Sequence, residues 1–297
     1  MNLLVTGAFA CTEKELNKLS SQGHEVVFMQ QEKDPLPCKY SWVEGIIGNG
    51  IFLHHPIEKF SSLKFIQLTS AGFDRVPMDY VEERGIKIFN ARGVYSIPMA
   101  EYALAGVLSL YKKLKVFGEN QKERLWEKQR DILELFGKTV LIVGAGNVGS
   151  ECAKRFSAFG CRVYGVDLYP KDNENFIEVL PMTQMDNLLA KSDAVILTLP
   201  LTDETKGLFN KEKFDLMKKG AILVNITRGA VVNTTDLIAA LKNTLGGAVL
   251  DVFETEPLDE NSPLWDIENV IITPHNSFVG EGNKQRLFDV VVKNLRK

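Results

Sequence analysis

The sequence predicts an α/β protein with two doubly wound parallel sheets, and three observations carry that expectation. Short apolar runs of strand length alternate with helical or loop segments, they fall into two series, and a glycine-patterned turn opens the second. At 297 residues the chain can hold two domains of ordinary size, each with its own core.

The first series contains strand candidates at Leu3 to Val5, Val26 to Met29, Gly45 to Ile47, Phe65 to Leu68 and Ile86 to Phe89. Strands separated in this way form βαβ units, so the first ninety residues read as one α/β domain. Met99 to Phe117 has no internal proline and is predicted to be helical, and the charged segment Glu119 to Asp131 then bridges to the second series. There the strand candidates are Val140 to Val143, Arg162 to Val166, Ala194 to Leu199, Ala221 to Ile226, Ala248 to Val252 and Val270 to Thr273.

Composition narrows the function classes. A content of 45% hydrophobic and 25% charged residues is that of a soluble globular protein, and a net charge of −3 offers no general attraction to nucleic acid or an anionic membrane. No apolar stretch reaches the roughly 18 to 20 residues needed to span a bilayer. The opening MNLLVTGAFA reads as a strand and not as a signal segment. Cys11, Cys38, Cys152 and Cys161 lack CxxC spacing, which supports neither zinc nor a disulfide framework and fits a reducing cytoplasm. No metal site is expected.

The turn after Val140 to Val143 specifies a dinucleotide. In TVLIVGAGNVGSECAKRFSAFGCRVYGVD, Gly144 makes the tight turn, Gly146 lets backbone approach a pyrophosphate, and Gly149 allows close packing of helix on strand. The helix that follows offers unpaired N–H groups to the phosphates. Asp167 closes the next strand, where a carboxylate can accept from both ribose hydroxyls. A 2′-phosphate about 4 Å away would cost roughly 1 to 4 kcal/mol per charge pair at effective dielectrics of 80 to 20, which favours NAD over NADP. Lys171 is the close cation that could offset this cost.

Ligands of open parallel sheets sit beyond the carboxyl ends of the strands, so the residues just after each strand are the candidates for chemistry. Three such loops carry Thr227-Arg228-Gly229, Phe253-Glu254-Thr255-Glu256-Pro257 and Pro274-His275-Asn276-Ser277. A hydride moving to or from a carbon that bears oxygen requires a proton to move in step, and histidine suits both directions. Of four histidines, His24 precedes a strand and reads as a surface residue, while His54 and His55 share a loop without a further metal ligand at suitable spacing. His275 remains. Glu256 could orient its imidazole, with Glu254 as an alternative partner whose simpler reading is a solvated loop charge. Arg228 supplies a planar fork of donors for a substrate carboxylate and the adjacent carbonyl.

With these motifs in order, the chain resembles the D-isomer-specific 2-hydroxyacid dehydrogenase family over nearly its whole length. The resemblance rests on FGKTVLIVGAGNVG at 136–149, Asp167, SDAVILTLPLTDETKGLFN at 192–210, NITRGAVVN at 225–233, DVFETEP at 251–257 and TPH at 273–275. It implies a Rossmann-type NAD-binding domain at 98–279 inserted into a discontinuous flavodoxin-like substrate domain at 1–97 plus 280–297, with the active site in the cleft between them. It also implies that Arg228 binds substrate, that Glu256 partners the histidine and that His275 is the proton donor. Cofactor contacts are implied for Gly144, Gly146, Asn147, Val148, Gly149, Asp167, Thr198, Leu199, Pro200, Ile226, Thr227, Arg228, Asp251 and His275. Ala71 and Gly72, in SAGFD, resemble a turn whose amides hold a carboxylate, and Ser96 matches a position near the nicotinamide. The stretch after Ile97 would form a homodimer.

The chain departs from the family pattern at Asn276-Ser277-Phe278, where a small apolar pair with glycine is usual, and at Arg92, where small residues are common. The sequence ends at Lys297, shortly after Phe288 to Leu295, so the segment that finishes the substrate domain in the family is expected to be short. The leading functional expectation is an NAD-linked enzyme that interconverts small 2-oxoacids and D-2-hydroxyacids. A catalytically silent NAD-sensing protein on the same fold is the alternative from another class, and a formate or amino-acid dehydrogenase is a third.

Overall fold

The computed structural model describes residues 1–296; Lys297, the last residue of the expected substrate-domain segment, lies outside the described residues. The chain divides into two compact units, one formed by Met1–Tyr95 and the residues from Gly280 onward, the other by Ser96–Val279. Each is an α/β unit on an all-parallel sheet.

The first unit contains β1 (Asn2–Thr6), α1 (Glu13–Ser20), β2 (Glu25–Met29), β3 (Gly45–Gly48), β4 (Phe65–Leu68), α2 (Met78–Glu83) and β5 (Lys87–Phe89). The sheet order is β2-β1-β3-β4-β5, so the winding direction reverses between β1 and β3. β3 and β4 are buried along their whole length, so neither alternates apolar and polar residues; the one polar side chain in them, Gln67, is fully buried with Nδ2 of Asn294 donating to its Oε1. Thr12 starts α1 with a reciprocal capping box: its hydroxyl accepts from Glu15 N, and the Glu15 carboxylate accepts from Thr12 N.

The second unit contains α3 (Ser96–Tyr111), α4 (Leu114–Lys122), β6 (Thr139–Val143), α5 (Asn147–Ala158), β7 (Arg162–Asp167), β8 (Glu178–Pro181), α6 (Met185–Leu189), β9 (Ala194–Leu197), α7 (Lys211–Leu216), β10 (Ile222–Asn225), α8 (Thr234–Asn243), β11 (Gly247–Leu250) and β12 (Val270–Ile272). Its sheet order is β12-β11-β10-β9-β6-β7-β8, the Rossmann arrangement extended by one strand at β12. Two apolar clusters cover its faces, one including Leu141, Leu197 and Leu223, the other Ile142, Ile196 and Val224, so alternate residues of each strand serve opposite faces. The last helix, α9 (Asn283–Leu295), belongs to the first unit, where Leu287, Phe288 and Val291 pack with Leu3, Val5 and Ile47.

Two elements differ from expectation. The single helix predicted over 99–117 is broken into α3 and α4, with Lys113 between them at φ 53°. The chain returns alongside: Leu133 N donates to Tyr111 O, which a continuing helix would have used, and Lys113 Nζ pairs with Asp131 at 2.5 Å. β8 is the second difference, a four-residue edge strand paired only with β7, whose charged start and terminal proline hide it in the sequence. The third to fifth strands of the second series end one or two residues before their predicted limits, which frees 198–200, 226–228 and 251–252 as loops at the carboxyl edge.

Candidate active site

The glycine loop between β6 and α5 has the shape its residues demand. Gly144 has φ 101°, in the left-handed region, and a Cβ there would stand 2.8 Å from Leu199 N. A Cβ on Gly149 would stand 2.1 Å from Gly144 O, so α5 approaches β6 too closely for any side chain. A Cβ on Gly146 would meet nothing within 4 Å, which leaves open space at the α5 N-terminus, where Asn147 is exposed and no side chain caps the helix. Helix N–H groups facing room for a phosphate fit a dinucleotide. Val148 is half-buried in the same turn.

Asp167, the last residue of β7, anchors this loop from the side. One carboxylate oxygen accepts from Ala145 N at 2.8 Å, and the other accepts from Tyr169 N at 3.0 Å. Each oxygen keeps a further lone pair for a ribose hydroxyl. Across the loop, Thr198 donates its hydroxyl to Gly144 O at 2.5 Å, Leu199 is buried beneath it, and Pro200 accepts from Thr205 Oγ1 at 2.8 Å.

β10, β11 and β12 are neighbours in the sheet, so the loops that follow them lie side by side. Asn225 ends β10 and shapes the first: its Nδ2 donates to Arg228 O, and its Oδ1 accepts from Thr227 N. Ile226 and Thr227 are buried, and Arg228 is exposed with Nη1 donating to Thr227 O at 2.8 Å. Gly229 then passes directly against the second loop, since a Cβ there would lie 1.8 Å from Phe253 C. In that second loop Glu256 Oε1 accepts from Phe253 N at 3.1 Å, and Glu254 accepts from Thr234 N at the start of α8 instead of standing free in solvent.

The structure brings His275 and Glu256 together: Nδ1 and Oε2 are 2.8 Å apart, with both side chains partly exposed. His275 has φ 50°, a conformation that costs a non-glycine residue roughly 1 to 2 kcal/mol. Phe278 meets the imidazole edge to face, with ring centroids 5.9 Å apart. Asp251, one of the expected cofactor contacts, is fully buried, and its carboxylate is held by the segment around His275. It accepts from Thr273 Oγ1 at 2.7 Å, Asn276 N at 2.8 Å and Ser277 N at 2.9 Å. Asn276 and Ser277, which depart from the usual pattern, thus act through their N–H groups, which any residue except proline supplies. Asn225 and Thr273 escaped notice as site residues because each reads as the polar end of an apolar strand.

The remaining candidates are placed separately. In the first unit the carbonyls of Ala71 and Gly72 accept from Asn90 Nδ2 at 2.6 Å and Ser70 Oγ at 3.1 Å, so the turn is fixed through its acceptors. Ser96 is buried as the first residue of α3. His55 is buried too, with its ring nitrogens 2.8 Å from Tyr40 Oη and 3.0 Å from Glu32 O, a packing role and not a surface one.

The chain is similar to known proteins in sequence and in fold. The family model described as D-isomer specific 2-hydroxyacid dehydrogenase, NAD binding domain, matches residues 104–277. A glyoxylate reductase of Thermofilum pendens is 36% identical over 241 residues, covering 79% of this chain and 71% of that protein. A D-3-phosphoglycerate dehydrogenase of Methanocaldococcus jannaschii is 34% identical over 244 residues, covering 81% of this chain but 46% of its own length. Among solved structures, a D-lactate dehydrogenase from Aquifex aeolicus complexed with NAD and lactic acid superposes with a TM-score of 0.78 at 28% identity, covering 99% of this chain and 94% of that one.

Proposed function

Because the chain belongs to the D-isomer-specific 2-hydroxyacid dehydrogenase family, we propose that it is an NAD-linked oxidoreductase interconverting a small 2-oxoacid and its D-2-hydroxyacid. NADH, when bound, supplies the hydride that the carbonyl carbon receives. The observation that carries the reading is the 2.8 Å contact between His275 and Glu256. With Nδ1 committed to the carboxylate, the ring is fixed, and Nε2 is the nitrogen that gives a proton to the developing alkoxide. In the oxidative direction it takes that proton back. A positioned acid of this kind is worth about 10² to 10⁴ in rate. Arg228 holds the substrate carboxylate through its guanidinium and polarises the neighbouring carbonyl. Ala71 and Gly72, through their N–H groups, and Ser96 are assigned to substrate in the same reading. Asp167 selects the cofactor through the ribose hydroxyls.

The test is turnover of NADH with a panel of small 2-oxoacids that includes glyoxylate and hydroxypyruvate. His275→Ala is expected to lower kcat by about 10² to 10⁴ while NADH still binds. Equal turnover in both proteins overturns the mechanism, and tight NADH binding with no turnover on any 2-oxoacid favours a sensing role. Comparable rates with NADPH would remove the preference assigned to Asp167.

The second unit also leaves large apolar side chains bare between α4 and β6, with Leu125, Leu133 and Phe136 exposed and Trp126 96% exposed. Side chains of this size left bare on adjoining segments mark an interaction surface, and a second copy of the chain is the proposed occupant. Sedimentation should show a dimer that Trp126→Asp weakens; a monomer at every concentration rejects it.

A further inference from the structure

We infer that Tyr102 is a positioning residue for proton transfer, acting through Thr273 and Asp251 on the backbone that presents His275. The inference rests on the assignment of His275 made above. Tyr102 lies on α3, far from the glycine loop in sequence, and its hydroxyl hydrogen-bonds to Thr273 Oγ1. The direction of that bond is fixed by proton count. The Thr273 hydroxyl has one proton and gives it to Asp251 Oδ1, so it must accept from Tyr102. Burial pushes the Tyr102 phenol up, and the Asp251 charge adds to this against the opposing Thr273 bond, which keeps the donated proton on Tyr102.

Asp251 collects the result. Its carboxylate binds Thr273 on one side of His275 and the N–H groups of Asn276 and Ser277 on the other, while its carbonyl oxygen accepts from His275 N at 2.8 Å. Four hydrogen bonds to a single residue therefore span 273–277, with the left-handed residue in the middle. Such a conformation persists only where its surroundings over-determine it. Tyr102 is the outermost member of the chain: without its hydroxyl, Thr273 can rotate away, and Asp251 loses a directed donor. The Tyr102 ring packs against the core of the second unit, so the ring and the hydroxyl can be tested apart.

The experiment uses the full-length protein and combines steady-state kinetics with amide hydrogen exchange at Asn276 and Ser277. Tyr102→Phe and Thr273→Val are each expected to raise exchange at these two amides and to lower kcat, both by about tenfold, while KM for the 2-oxoacid is kept. Thr273→Ser, which retains the hydroxyl, should behave as wild type. The double variant should lose no more than either single one, because both remove the same link. Unchanged exchange in Tyr102→Phe and Thr273→Val overturns the inference, as does an effect of equal size in Thr273→Ser. If wild type reduces no 2-oxoacid, the functional reading fails, and the exchange measurement still decides whether Tyr102 holds the loop.

Discussion

At their amino edges the two sheets are built alike. Glu44 immediately precedes β3; its carboxylate accepts from Asn2 N at the start of β1 and pairs with Lys64 at 3.0 Å. Asp193 immediately precedes β9 and repeats the arrangement, accepting from Thr139 N at the start of β6 and pairing with Lys218 at 2.7 Å. Each clamps its strand beside the first strand of its unit. At the carboxyl edges the sheets diverge. In the first unit Glu32 accepts from Thr6 Oγ1, Asn49 N and Gly50 N while half-buried, whereas in the second Asp251 holds Thr273, Asn276 and Ser277 with no exposed surface. The amino edge serves the fold, so one solution suffices for both sheets. The carboxyl edge faces the ligand side of a parallel sheet, and the second unit excludes water from the residue that fixes the backbone around His275.

The strongest challenge to this contrast is Gly229→Ala. A Cβ 1.8 Å from Phe253 C forces apart the loops of Arg228 and Glu256, with an expected cost of about 3 to 5 kcal/mol and loss of turnover. Chemical denaturation and kinetics on the variant would read both, and a protein of unchanged midpoint would show that the loops yield freely.

Next in size is the difference between Asp251→Ala and Glu32→Ala. The first removes a carboxylate with no exposed surface, leaves the buried Ser277 N–H without its acceptor and should cost about 3 kcal/mol. The second removes a carboxylate that is itself half-buried and partly solvated, though it leaves the buried Thr6 hydroxyl and Gly50 N–H without their acceptor, and should cost about 1 to 2 kcal/mol. Equal losses in denaturant titrations would remove the burial argument.

The smallest effect concerns the shared amino edge. Lys64 and the Asn2 N–H hold the Glu44 carboxyl below its usual range; burial works to raise Asp193, but Lys218 and the Thr139 N–H outweigh it, and it is lowered as well. A folded-state value below the unfolded one gives stability that is fully present above the unfolded pKa and is lost as pH falls through the folded one. Asp193→Asn should therefore cost roughly 1 kcal/mol at neutral pH, and its difference from wild type should begin to shrink as pH falls below about 4 and vanish once the pH lies below the folded-state value, with Glu44→Gln behaving the same way at smaller size. A difference from wild type that persists in acid would show that packing, not charge, is at work.

Much of this was legible in the residues. The glycine pattern, the terminal carboxylate of β7 and the strand-end positions of Arg228, Glu256 and His275 follow from local rules: turn sterics, helix-end donors and the carboxyl-edge location of ligands in parallel sheets. Burial on both faces makes central strands read as largely apolar runs, so eleven of the twelve strands among the described residues end within two residues of expectation or better, while β8, an edge strand with polar ends, was hidden.

What the sequence determined by itself was therefore local: the two series of strands, the cofactor turn and the residue types at the strand ends. Tertiary structure alone decided the break between α3 and α4, where the distant Leu133 N–H replaces a helical donor to the Tyr111 carbonyl, and the burial of Asp251. It alone joined Tyr102 to Thr273 and set His275 in a left-handed conformation. The reason is physical. A hydrogen bond between residues 171 positions apart leaves no periodic trace in the chain, and its partners become readable only when packing brings them together.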